Sequence, residues 1–216
     1  MDQQNTDVAA EVAAGLLNAG AIRLQPDEPF TWSSGWKSPI YCDNRISLSF
    51  PKLRTYIKVQ LAELVRQHFP DAEAIAGVAT AGIPQGALIA DYLNLPFLYV
   101  RSKPKGHGMT NQIEGKASPG QRVVVVEDLI STGGSSLKAV EALREADVKV
   151  DGLVAIFTYG FDLAVANFEE AKVPYHCLSD YSHLLDEALR RNIIQEEDKE
   201  LLSDWRRDPA GWNGKG

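Results

Sequence analysis

The residues best suited to chemistry fall in one run. Val123 to Val126 are four consecutive valines, followed by Glu127 and Asp128, and then by Leu129, Ile130, Ser131, Thr132, Gly133, Gly134, Ser135 and Ser136. Four β-branched residues in succession predict a strand buried on both faces. The Ser/Thr/Gly turn then opens a helix predicted over Ser135–Ala146. In open α/β sheets ligands bind beyond the carboxyl ends of the strands, where the two acids fall. Gly133 and Gly134 permit left-handed backbone, so successive amides can converge on an anion. Ser131, Thr132 and Ser135 add hydroxyl donors, and the helix N-terminus adds partial positive charge. Such a loop suits a phosphate monoester. Two acids beside a phosphate are unfavourable on charge alone, but they fit a phosphate carried by a sugar whose hydroxyls need acceptors. An ordinary strand–turn–helix with a capping serine is the plainer reading. The agreement of acids, hydroxyls and glycines in this order outweighs it.

A second run carries the opposite charge. No acid occurs between Asp91 and Glu114, in a chain whose net charge is −7. Within that stretch Arg101, Lys103, Lys105 and His107 stand on a loop bearing Gly106, Gly108 and, at its end, Gly115. Three fixed positive charges on a mobile loop match the needs of a polyanionic leaving group as its charge develops. Closure of such a loop excludes water from the reacting centre. A solvated charged hairpin is the alternative for these residues taken alone.

A third segment, Phe30 to Asp43, interleaves aromatic residues with Ser33, Ser34, Gly35 and Ser38. Rings and small polar groups of this kind either stack on a planar ligand or pack as a hairpin on the core, and the residues leave both readings open. Other signatures fail. Gly77 to Gly82 begins like a P-loop, but Ile83 and Pro84 stand where Lys and Ser/Thr are required. Gly106 and Gly108 lack the third glycine of a dinucleotide fingerprint. His68, His176 and His183 show no metal-ligand spacing. Glu187, Glu196, Glu197, Asp198 and Glu200 read as the solvated face of a helical stretch.

The elements that must position these groups follow from periodicity. Helical spacing marks Asp7–Ala19, Leu53–Phe69 and Pro84–Leu93, and short apolar runs mark strands at Ala74–Val78, Phe97–Val100 and Gly152–Thr158. An edge strand is expected near Val173–Leu178, then one or two polar helices from Tyr181 to about Trp205 and a fraying Gly-rich tail. Strands alternating with helices of about ten residues predict an α/β fold with a mostly parallel sheet. A length of 216 residues suits one domain. Its hairpin-rich lobe would lie mainly within 1–50, its α/β core at about 51–180 and its helical tail at 181–216. A composition 44% hydrophobic and 24% charged excludes disorder. A pI near 5.1 gives no overall field for nucleic acid. No signal peptide or membrane span is read, and Cys42 and Cys177 are idle thiols of a reducing compartment, so a cytoplasmic location is expected.

Val123–Ser136 resembles the 5-phosphoribosyl 1-diphosphate (PRPP) signature of type I phosphoribosyltransferases. The loop Arg101–Gly115 is similar to the catalytic loop of the orotate phosphoribosyltransferase family, and Ser34–Tyr41 resembles the orotate-side segment of that family. The resemblance implies a type I phosphoribosyltransferase fold with a small N-terminal hood, forming orotidine 5′-monophosphate and pyrophosphate from orotate and PRPP with Mg²⁺. It further implies that Glu127 and Asp128 accept from the ribose hydroxyls, that Leu129, Ile130, Ser131, Thr132, Gly133, Gly134 and Ser135 wrap the 5-phosphate, and that Ser131 touches orotate. Arg101, Lys105 and His107 would hold pyrophosphate, with Lys105 catalytic and loop 101–115 shared across a homodimer. The turn Ala79–Gly82 takes the place of the family's pyrophosphate-contacting loop. Some members carry lysines where Ser33, Ser102 and Ala81–Pro84 stand, and an arginine near Thr158–Gly160. Lys103 and Lys37 are the replacements at hand. The rivals are a purine phosphoribosyltransferase and a non-catalytic PRPP-sensing regulator. The first would lack the loop ending Gln112, Ile113, Glu114, Gly115. The second would need a basic DNA-binding segment.

Overall fold

A computed structural model of the chain describes residues 3–32, 35–103 and 112–214. The N-terminal part comprises helix α1 (Gln3–Asn18) and strands β1 (Ile22–Leu24), β2 (Phe30–Thr31), β3 (Lys37–Ser38) and β4 (Ile40–Cys42), closed by a 3₁₀ turn over Asn44–Ser49. β1 pairs antiparallel with β4, and β2 with β3, each by only two or three residues. Ribbons this short do not hold themselves and take their position from side-chain packing.

Helix α2 (Pro51–His68) starts with proline at its first position, where the missing N–H costs nothing, and buries Ile57, Leu61, Ala62 and Val65. The chain continues through β5 (Ala74–Val78), α3 (Gly82–Leu93), β6 (Phe97–Val100), β7 (Ile113–Glu114), β8 (Arg122–Ile130), α4 (Gly134–Glu145), β9 (Lys149–Thr158), α5 (Asp162–Glu170), β10 (Tyr175–Asp180), α6 (Tyr181–Arg190) and α7 (Asp198–Arg207). The sheet runs β10-β9-β8-β5-β6-β7. All its pairs are parallel except β6 with β7. The strand order turns back between β5 and β8, and the carboxyl ends of those two strands open the crevice in which α/β proteins hold ligands.

The predicted strands at 74–78 and 97–100 form as read. The valine strand is longer than its apolar core: β8 extends to Ile130, so Glu127 and Asp128 are ladder residues with Glu127 opposite Ala155 of β9. Helix α5 has no counterpart in the sequence reading. It buries Ala164 and Phe168 while Leu163 and Val165 stand 55% and 39% exposed, which erases a clean apolar period. The expected solvated face is wrong at Glu187. This carboxylate is buried and bonded to both Arg190 and Arg191, whose i+3 and i+4 spacing lets a buried acid keep its charge paired. The tail is also better docked than a fraying end. Trp205 is fully buried, Trp212 packs against the core, and Gly214 lies against Pro29. Among the described residues no helix is long and apolar enough to cross a membrane.

Candidate active site

Alternation along β8 sends Glu127 and Asp128 to opposite faces. Glu127 is 4% exposed and Asp128 half-buried. The Ser136 hydroxyl donates to Glu127 Oε2 at 3.2 Å, with the Ser135 hydroxyl at 3.4 Å. The Asp128 amide donates to Glu127 Oε1 at 3.1 Å. Burial, and then the adjacent Asp128 charge, push the Glu127 carboxyl well above the usual carboxylate range. Burial also raises Asp128, but hydrogen bonds and the Arg45 guanidinium oppose the rise. Both carboxyls are therefore harder to ionise than free ones, Glu127 through deeper burial and Asp128 with Arg45 opposing the rise.

Sequence reading missed one residue here. Asn44, 1% exposed, donates from Nδ2 to the Asp128 carbonyl at 2.7 Å and accepts the Cys42 thiol on Oδ1 at 3.4 Å. It ties the N-terminal part to the acidic pair. In sequence Asn44 is one polar residue among Asp43, Asn44 and Arg45, and no spacing singles it out. Burial, together with the Asp128 and Asp43 charges, pushes the Cys42 thiol well up, so it stays a neutral donor.

After β8 the chain turns through Ser131 and Thr132 into Gly133, whose φ of 82° is the left-handed conformation expected for a glycine there. A Cβ at Gly133 would lie 2.7 Å from Phe168 of α5, and Asn167 Nδ2 of the same helix donates to the Thr132 carbonyl at 2.9 Å. The unforeseen helix therefore shapes the predicted phosphate turn. Gly133 caps α4 without any side-chain hydrogen bond, which leaves the first-turn amides to an anion. The neighbouring turn, Ala79–Gly82 after β5, contains a cis Ala79–Thr80 peptide. Gly82 there is pressed so closely on β8 that a Cβ would meet the Val126 carbonyl at 2.3 Å. Two strand-to-helix turns thus face each other across the crevice.

Beside the acidic pair a cavity of about 440 Å³ is lined from the core by Leu129, Ser131 and Tyr159, and from the N-terminal part by Thr31, Trp32, Tyr41 and Cys42. Trp32 stacks on Tyr159 with ring centres 5.5 Å apart and planes 29° apart. Tyr41 is held by Phe30 at 5.6 Å and by the Arg23 guanidinium at 5.1 Å from its ring centre. The structure thus brings Tyr41 and Ser131, read from separate segments, to one cavity. Ser33 and Ser34 lie outside the described residues. Lys37 donates to Thr31 Oγ1 at 2.8 Å on the cavity's rim. A second cavity, of about 460 Å³, lies between Gly160 and helices α6 and α7 and contains none of the predicted residues.

Of the cationic run, Arg101 stands directly after β6, at the base of the β6–β7 hairpin. Arg101 and Gln112 bridge the arms, with the Arg101 amide donating to the Gln112 carbonyl at 2.8 Å and Gln112 Nε2 to the Arg101 carbonyl at 3.2 Å. Arg101 also faces Glu114 at 3.5 Å, so its charge is partly balanced, whereas Lys103 is exposed. Lys105 and His107 lie outside the described residues. Among the described residues no three His, Cys, Asp or Glu side chains form a metal-binding group.

Comparison with known proteins agrees with this geometry. Residues 56–182 match the phosphoribosyl transferase domain. The chain is 57% identical over 202 residues to the orotate phosphoribosyltransferase of Cytophaga hutchinsonii, spanning 94% of this chain and 97% of that one. Its fold superposes on the crystal structure of orotate phosphoribosyltransferase from Aeropyrum pernix with a TM-score of 0.73 and 32% identity, over 82% of this chain and 97% of that one. It superposes on the Mycobacterium tuberculosis enzyme in complex with PRPP with a TM-score of 0.63 and 25% identity, over 82% and 98% of the two chains. A family domain over more than half the sequence, and a relative matched almost end to end, place the chain in the orotate phosphoribosyltransferase family.

Proposed function

We propose that the chain transfers the ribose 5-phosphate of PRPP to orotate, forming orotidine 5′-monophosphate and pyrophosphate, a step toward pyrimidine nucleotides carried out in the cytoplasm. The observation that carries this reading is the adjacency of three features around β8: the acidic pair, the glycine-capped start of α4, and the aromatic cavity behind Ser131. Each suits one part of the two substrates.

The amides of Gly134 and Ser135 and the hydroxyls of Ser131, Thr132 and Ser135 wrap the 5-phosphate, along a backbone that also includes Leu129, Ile130 and Gly133. Asp128 accepts from the ribose hydroxyls, while Glu127, held by the Ser136 hydroxyl and the Asp128 amide, remains within reach of the sugar. The anomeric carbon becomes cationic as pyrophosphate departs, and a carboxylate near the ring stabilises that charge better than a neutral group would. The ring nitrogen of orotate, lying between Tyr41 and Ser131, gives its proton to solvent or to the departing pyrophosphate and forms the new bond as the carbon–oxygen bond to pyrophosphate breaks. The chain positions the two partners and need form no covalent bond itself.

Arg101, Lys105 and His107 hold the departing pyrophosphate, and Lys105 is the catalytic cation. We further propose a homodimer in which loop 101–115 reaches the partner's site. Mg²⁺ enters as part of the PRPP substrate, where it supplies charge neutralisation to the diphosphate. The residues present fit this, because burial pushes both acids toward their neutral forms and, among the described residues, no third Asp, Glu, His or Cys joins them in a metal-binding group. The test is loss of orotate absorbance on adding PRPP and Mg²⁺, with adenine, hypoxanthine and uracil as competing bases. Turnover of orotate alone is the expected result, and turnover of a purine in its place would overturn the reading.

A further inference from the structure

The C-terminal helix α7 sends Trp205 into the middle of the aromatic group that walls the base cavity. Trp205 meets Trp32 edge-on, with ring centres 5.7 Å apart and planes at 82°, and meets Tyr159 at 5.5 Å and 88°. Those two rings are the stacked pair that lines the cavity. Phe161 and Tyr181 close the group from the other side, at 5.4 Å each. Tyr159 belongs to the end of the central sheet, but Trp32 follows a two-residue strand of the N-terminal part. Its other anchors are backbone bonds with Trp36 and Gly35 and the bond from its indole N–H to the Ile40 carbonyl at 3.1 Å. A ribbon that short cannot fix the plane of an indole, so that plane is set by the rings packed on it.

Trp205 itself is fully buried, and its indole N–H has no hydrogen-bond partner among the described residues. A buried unpaired donor is a cost that phenylalanine would not carry. The added size of the indole must therefore be useful where it touches its neighbours, and two of those neighbours wall the cavity. We propose that Trp205 is a positioning residue for the base. By holding Trp32 against Tyr159, it makes the C-terminal helix part of the base-recognition site without touching the base. The inference rests on the reading of that cavity as the base site.

The test compares Trp205→Leu, Trp205→Phe and Trp32→Leu with Leu202→Ala, a cavity-forming change at an equally buried position of α7. KM for orotate, KM for PRPP, kcat and Tm are measured for each. Loss of two edge-to-face contacts predicts an orotate KM raised about tenfold in Trp205→Leu, with the PRPP KM within about twofold of the parent. Trp205→Phe, which keeps a flat ring but lacks the indole's added size, should raise the orotate KM less than Trp205→Leu and still measurably above the parent. Leu202→Ala should lower Tm and leave the orotate KM near that of the parent. An equal rise in orotate KM for Leu202→Ala would reduce the effect to general loosening of the helix and overturn the proposal. An orotate KM raised by Trp32→Leu but not by Trp205→Leu would remove Trp205 while leaving the cavity as the base site. No change with Trp32→Leu would instead sink the cavity reading, and the positioning role with it.

Discussion

Replacing Asp128 by asparagine separates the charge of the acidic pair from its architecture. The side chains are nearly the same size, and the Asp128 carbonyl would still accept from Asn44, so the tie to the N-terminal part survives. The change removes the Asp128 anion from the ribose side of the pair, while burial continues to push the Glu127 carboxyl up without help from its neighbour's charge. A charge-assisted hydrogen bond from a partly buried group is worth roughly 1.5–3 kcal/mol, which at about 1.4 kcal/mol per decade weakens PRPP binding about 10- to 150-fold. Stability should move little and in the favourable direction, because burial opposes the Asp128 charge in the free protein. Calorimetric titration of Asp128→Asn with PRPP and Mg²⁺, beside a thermal melt, reads both quantities. Unchanged PRPP affinity in a variant with a normal melt would remove the carboxylate from the site and with it the account of why two acids sit beside a phosphate turn.

Other expectations follow from the same geometry. Lys105→Ala should lower kcat by about 10²–10³ with much less effect on PRPP affinity or Tm, since one donor to a developing anion is lost. Mixing Lys105→Ala chains with Asp128→Asn chains should restore activity in steady-state assays if the loop crosses to the partner, and mixtures no more active than either parent, despite subunit exchange, would confine the loop to its own chain. Tyr41→Ala should raise the orotate KM and spare PRPP binding by calorimetry; equal losses for both substrates would make Tyr41 a packing residue. Glu127, whose folded pKa is raised, binds more proton in the folded than in the unfolded chain, so its own contribution to stability is greatest at low pH. It should decline as pH rises from the ordinary value of 4.5 through the raised one, and Glu127→Gln should flatten that decline in Tm measured against pH.

What the sequence made legible follows from which contacts are local. The valine strand is read at sight because both of its faces are covered, and β5 is read for the same reason, with all five residues buried. The phosphate turn is legible because its glycines, hydroxyls and helix start are consecutive in the chain. Helix α5 is not, because two of its apolar residues face solvent and hide its period. Glu187 misleads for the converse reason: a lone acid in a polar helix looks solvated until the arginines three and four residues on are seen folded over it.

The base cavity shows how far that principle reaches. Its walls come from Thr31 to Cys42 and from Leu129 to Tyr159, and Trp205 buttresses them from a third segment. Aromatic residues in the first segment are equally consistent with packing and with ligand stacking, and in the structure the same rings pack on the core and wall a cavity. Trp32 has one face against Tyr159 and still lines the cavity. Asn44 acts on the crevice through a bond to backbone 84 residues away, and Trp205 through a ring contact with Trp32 near the other end of the chain. Groups that bind the charged substrate are clustered in sequence because a phosphate is held by consecutive amides. Groups that shape a flat, mostly apolar base site are scattered because stacking asks only for surfaces, which any segment can supply once the sheet has brought it near. Sequence therefore speaks first of the phosphate end of such an active site, and the structure is needed for the base end.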